Sequence, residues 1–192
     1  MGIDISEHYF ITGIKEVDDY YILFGYGFSR ASNTEYDSLF FVLDFAGNII
    51  VNLASLPDFL RTPMLKKRMM EFFSLEEQDR KEVINNALEA GPTIPFPNFS
   101  KLFKTWLEVL CAISEENRHT MFSNYIKHII NSPQKIIAFN LDGILEIFLS
   151  LGQSNQEIIS ISIQNVIKSL DQDSKRKLVL LIPENAKNVI GF

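Results

Sequence analysis

The residues of this chain that could do chemistry are three histidines, one cysteine and a few serine, lysine and carboxylate pairings. His119 and His128 are nine residues apart. On one helix that spacing turns them to opposite sides, so they cannot share a metal. Glu116-x-x-His119 would serve a di-iron bundle only with a second copy and two more carboxylates, and the second copy is absent from the sequence. His8 stands alone. Cys111 sits among Leu110, Ala112 and Ile113, which predicts a buried, inert thiol. Pairing it with His119 as nucleophile and base lacks an orienting third group.

Ser174-x-x-Lys177 has the serine–lysine hydrolase spacing without the companion motifs of that chemistry. Asp171 and Asp173 could open a calcium loop, but Arg176 and Ile182 stand where the loop needs glycine and glutamate. Gly25-Tyr26-Gly27 lacks the third glycine and the following helix of a phosphate loop. The expectation is therefore no catalytic set, no metal and no cofactor.

Charge narrows the partners. The net charge is −6 and the pI about 5.1, which disfavours nucleic acid as the main ligand. Arg61, Lys66, Lys67 and Arg68, and again Lys175, Arg176 and Lys177, are two basic clusters best read as outer helix faces. A single cysteine excludes an intrachain disulfide. No basic leader and no stretch of about 18 apolar residues is present, which leads to the expectation of a cytoplasmic protein that does not enter a membrane. Gly2 and Ser6 satisfy the short myristoylation pattern, but Asp4 and Glu7 oppose an anionic surface.

The elements that would position any site change character near Leu56. Before it, apolar residues alternate as in strands: 8–17, 20–29, 39–45 and 49–53. Beyond it they recur at three and four, as in helices. The predicted fold class is α+β, a small four-stranded antiparallel meander followed by an all-helical region. Residues 1–56 form the sheet, and residues 57–192 form helices packed on it as one continuous unit. A folded, monomeric 57–192 fragment would contradict that packing.

Ser74, Ser114 and Ser154 each open a polar segment and lie 40 residues apart, predicting helix starts there. Thr62-Pro63 predicts another start, and Gly91 to Asn98, with three prolines, a rigid connector. The hairpins from 99 to 170 resemble HEAT or armadillo-type repeats in length and polarity, over about two repeats. A plain helical bundle is the alternative.

Acidic residues follow the three serines: Glu76, Glu77 and Asp79, then Glu115 and Glu116, then Glu157. Acids in a first turn favour the helix dipole. If the hairpins stack in register, the same residues line one edge and suit a basic protein partner. The functional expectation is a non-catalytic protein-interaction module of the adaptor, inhibitor or immunity type. The alternative is an enzyme with a dispersed carboxylate site between sheet and helices.

Overall fold

Leu53, Leu56, Asp58, Arg61 and Met64 return 57 residues later as Leu110, Ile113, Glu115, Arg118 and Met121, and the helical part of the molecule is built on that recurrence. The computed structural model describes the backbone of residues 8–17, 20–28, 36–44, 49–184 and 186–187, and the side chains of 50–184 and 186–187. The chain divides into two units, Met1–Asn52 and Leu53–Phe192.

The expected α+β fold on a four-stranded meander is overturned. The residues described with their side chains are 85% helical and contain no strand. The segment read as the fourth strand lies in helix α1, Ile49–Ser55. β-branched Ile49, Ile50 and Val51 favour a strand locally, but tertiary context overrides that preference. As a helix, α1 places Leu53 and Ala54 in the core, with Leu56 just beyond its end. It also ends with carbonyls that a buried arginine takes up. In the first unit the backbone forms β1 (His8–Val17), β2 (Tyr20–Phe28) and β3 (Tyr36–Asp44). They pair antiparallel in the order β1-β2-β3, with a register shift between Ile11 and Gly13.

The remaining helices are α2 (Asp58–Ser74), α3 (Glu77–Ala90), α4 (Phe96–Ala112), α5 (Glu115–Asn131), α6 (Gln134–Ile137), α7 (Leu141–Leu149), α8 (Gln153–Ser169) and α9 (Gln172–Leu181). α2 and α5 are each 17 residues long and start 57 residues apart, and so do α4 and α8. α2 packs on α4 as α5 packs on α8. The buried positions repeat with the helices: Leu102 with Ile159, Val109 with Val166, Ile94 with Leu151, and Met64 with Met121 and Leu178. Each fully buried aliphatic side chain contributes about 1.5–3 kcal/mol.

Several predicted boundaries move. The α2 helix begins at Asp58 and runs through Pro63. The proline forfeits one backbone bond, but the helix buries Leu60, Met64 and Leu65 around it. Ser74 ends α2 and does not start α3, whose N-cap is Glu76. Ser154 lies inside the first turn of α8, after Gly152. Ser114 is an N-cap: the Asn117 amide donates to its Oγ at 3.3 Å. The apolar run from Ser132 to Leu151 breaks into α6 and α7, because Asn140 caps α7 by accepting from the Gly143 amide at 3.0 Å.

One side of α4 is a ladder of rings. Phe96, Phe99, Phe103 and Trp106 follow one another at 6.2, 5.6 and 5.5 Å between centroids. Trp106 then meets Phe122 and Tyr125 edge-on. α7 approaches this ladder closely at Gly143, where a Cβ would lie 2.3 Å from Phe96 Cζ.

Candidate functional site

The two buried arginines are the most elaborate polar arrangements in the described residues. Arg61 is 3% exposed and Arg118 8%. Each lies in the first turns of its helix and reaches back over the end of the helix before it. Arg118 Nη1 donates to the Leu110 and Ile113 carbonyls, both at 2.9 Å. Its Nη2 donates to Glu115 Oε2 at 2.8 Å, and its Nε to Ser162 Oγ at 2.7 Å. Ser162 in turn donates to Glu115 at 2.8 Å.

Arg61 repeats the pattern on equivalent residues. Its Nε donates to Leu53 O at 3.2 Å and its Nη2 to Leu56 O, while Nη1 donates to Asp58 Oδ1 at 2.7 Å and Thr105 Oγ1 at 3.3 Å. The planar guanidinium fork suits this task. It satisfies carbonyls that a helix end leaves without partners, at the negative end of the helix dipole. Both arrangements are clasps that join three helical segments.

The expected partner-binding residues fall into different circumstances. Glu115 is held by Arg118 and Ser162. Burial would raise its pKa, but those hydrogen bonds and the Arg118 charge outweigh it and leave the carboxyl below its usual range. Glu77 pairs with Lys81 at 2.7 Å, and the hydrogen bond from that lysine lowers its pKa. Glu76, Asp79 and Glu116 are exposed. Glu157 is exposed and accepts from Gln153 Nε2 at 3.1 Å.

They lie at the starts of three helices: Glu76, Glu77 and Asp79 at α3, Glu115 and Glu116 at α5, and Glu157 in α8. The charge is also unevenly placed. Residues 1–52 hold two Lys/Arg and eight Asp/Glu, the whole net charge of −6, whereas residues 53–192 hold sixteen of each.

The other candidates resolve into structure. Ser174 donates to the Asp171 carboxylate at 2.7 Å, and Lys177 pairs with Asp173 at 2.7 Å, so that serine and lysine face separate acids. Arg61 leaves the first basic cluster for its clasp, and Arg68 pairs with Glu71 at 2.6 Å. Among the described residues no group of three His, Cys, Asp or Glu could hold a metal. No helix there is long and apolar enough to cross a membrane. His8 and the surroundings of Gly25 and Gly27 lie outside the residues whose side chains are described.

Comparison with known protein families, with curated proteins and with solved structures finds no match.

Cys111 is half-buried, with Sγ 3.6 Å from Asn155 O. Burial pushes its thiol pKa up, and the thiolate is the reactive form. Iodoacetamide at pH 8 should alkylate the folded protein at least about tenfold more slowly than the urea-unfolded chain. Equal rates would show an accessible thiolate.

His128 of α5 adjoins a cluster of polar groups from α3 and α6. Lys135 Nζ donates to Glu89 Oε1 at 2.8 Å and to Asn85 Oδ1. The hydrogen bonds from Lys135 and Asn85 hold Glu89 below its usual pKa. His128 Nε2 is buried without a hydrogen-bond partner among the described residues. Burial first, and the Lys135 charge second, lower its pKa, with Glu89 opposing.

A histidine with a depressed folded pKa takes up its proton more readily in the unfolded chain. Its contribution is therefore complete above about pH 6.5 and is lost as the pH falls below that value toward the folded pKa. The urea midpoint should drop between pH 7.5 and 5.5, and His128→Asn should remove part of that drop. An identical pH profile in the variant would exclude His128 as its source.

Burial also pushes the Tyr125 hydroxyl up to about 12. It therefore remains protonated in the folded protein under ordinary conditions.

Proposed function

We propose that this chain is a non-catalytic protein-interaction module. The duplicated arginine clasp carries that reading: the chain's best-organised polar groups fix helices to one another. In the described residues, every carboxylate with a displaced pKa is displaced downward: Glu77, Glu89, Glu115 and Asp171. An acid catalyst would need the opposite shift, so these four carboxylates are not candidates for that role.

The exposed acids Glu76, Asp79, Glu116 and Glu157, with the paired Glu77, are the proposed contacts for a basic protein partner. Glu115 is withdrawn from that set by its clasp. Cytoplasmic residence is part of the same proposal.

The test is recovery of partners by the tagged protein from its native lysate, under graded salt washes. A stoichiometric protein partner that is lost when Glu76, Asp79 and Glu116 are replaced by lysine supports the module. A partner retained by that triple variant would place the docking surface elsewhere. Recovery of no protein, together with stabilisation by a small metabolite, would favour the enzyme.

A further inference from the structure

In the first copy the chain between α2 and α4 runs as one helix, α3, over residues 77–90. The equivalent residues of the second copy, 134–147, are broken into α6 and α7. α6 has four residues, and none of them is fully buried, so little apolar burial holds it in place. Two side-chain contacts do that instead. Lys135 Nζ donates to Glu89 Oε1 at 2.8 Å and to Asn85 Oδ1, both on α3. Just beyond α6, the Phe139 ring stands 5.6 Å from the Phe99 ring of α4. It also fills the space over Gly91, where a Cβ would lie 2.5 Å from Phe139 Cε1.

His128 lies where this segment leaves α5. It belongs to the last turn of that helix, and the Ser132 amide donates to its carbonyl at 2.9 Å. Its Nε2 is buried and makes no hydrogen bond among the described residues. The charges that act on it come from Lys135 on α6 and Glu89 on α3, and none from α8 or α9. A proton added to the ring places a second cation beside Lys135, where Nε2 has no acceptor. A conformation that admits water to the ring removes that cost. Proton uptake therefore shifts the molecule toward that conformation. α6 is the element that yields, since α3 buries Ile84 and Leu88 and α5 buries Met121, Phe122 and Ile126. Glu89 is not the trigger. Its hydrogen bonds to Lys135 and Asn85 hold its carboxyl below the usual range, so it stays charged in mild acid.

We propose that residues 133–139 form an acid-released strap: uptake of a proton by His128 frees α6 from α3, withdraws Phe139 from Gly91 and Phe99, and opens that end of the α4 aromatic ladder. The strap is a device of the second copy alone, because the first copy keeps the equivalent residues in the continuous helix α3. It does not depend on the exposed carboxylates proposed above as partner contacts.

The test is amide hydrogen exchange on the full chain at pH 7.5 and pH 5.0, with rates corrected for the intrinsic pH dependence of exchange. The Lys135, Ile136 and Phe139 amides donate to the Ser132, Pro133 and Ile136 carbonyls and report the strap. Their protection should fall by about fivefold or more at the lower pH, the effect of one histidine with an ordinary pKa of about 6.5 in the open state. The α4 amides should keep theirs. His128→Gln should hold the strap's protection equal at the two pH values.

Gly91→Ala gives the reciprocal reading. Gly91 has φ −50° and ψ −52°, so alanine fits the backbone and crowds only Phe139 and its neighbours. Displacing Phe139 should raise the His128 pKa toward its ordinary value, read from the ring proton shifts, because coupling between two events is mutual. Unchanged helical content of both variants excludes misfolding as the cause. Strap protection that is unchanged at pH 5.0, a loss that His128→Gln retains, or a simultaneous loss throughout α4 overturns the proposal. So does a His128 pKa that Gly91→Ala leaves where it was.

Discussion

Replacing Arg118 by alanine is expected to lower the unfolding free energy by about 2–4 kcal/mol, because buried carbonyls and the Ser162 hydroxyl lose a hydrogen-bond donor. The loss is large because no single bond carries it. The Leu110 and Ile113 carbonyls, Glu115 and Ser162 all lose the Arg118 donor at once, and an unsatisfied buried group costs about 1–3 kcal/mol. For a unit of this size the melting temperature should fall by roughly 10 °C.

Lysine at the same position should recover only part of the loss. An ammonium keeps the charge but lacks the planar fork that reaches both carbonyls and the carboxylate. Arg61→Ala should cost a comparable amount, because Arg61 serves the equivalent Leu53, Leu56, Asp58 and Thr105. Circular dichroism at 222 nm during urea and thermal unfolding measures all three. A loss below about 1 kcal/mol, typical of an exposed ion pair, would contradict the clasp.

The second large effect lies in the core that the clasp encloses. Leu110 is fully buried, and its carbonyl is one of the Arg118 acceptors. Leu110→Ala should cost about 2–5 kcal/mol through lost transfer energy and the cavity left behind. Leu180, 85% exposed on α9, is the control: Leu180→Ala should change stability by less than about 0.5 kcal/mol. Equal effects at the two positions would mean that the buried and exposed faces are misassigned.

The sequence made the helices legible and hid the unit that repeats. Serine spacing of 40 residues suggested the period, but Ser74 ends a helix, Ser114 caps one and Ser154 lies within one. Serine is common wherever backbone groups need a partner, so its spacing carries little register. The informative pattern was Leu-x-x-Leu/Ile-x-Asp/Glu-x-x-Arg-x-x-Met, starting at Leu53 and again at Leu110. It combines apolar positions with an acid and a base three apart, which makes it far more specific than a cap.

Arg61 and Arg118 were obscured because a charged residue in an amphipathic segment is ordinarily solvated. Among the groups that accept from them are the Thr105 and Ser162 hydroxyls, 44 residues farther along the chain. Ile49 to Leu53 was misread for a related reason. Its β-branched residues are strand formers, and the burial of Leu53 and Ala54 that accompanies the helix is a tertiary effect.

The proposed docking acids show where such reading stops. First-turn acids are expected on helix grounds alone, and Glu115 turned out to hold a clasp. Residues 53–192 are electrically balanced. An acidic docking edge must therefore arise from local placement and not from the bulk charge of the helices.

The central claim is that two equivalent arginines, one in each copy, are locked inside the helical unit. It is tested most directly by proton exchange at arginine Nε in the isotope-labelled protein. The Nε–H signals of Arg61 and Arg118 should outlast that of the exposed Arg176, and Arg61→Lys and Arg118→Lys should remove them one at a time. Exchange of both as fast as at Arg176 would contradict the clasps and the repeat built on them.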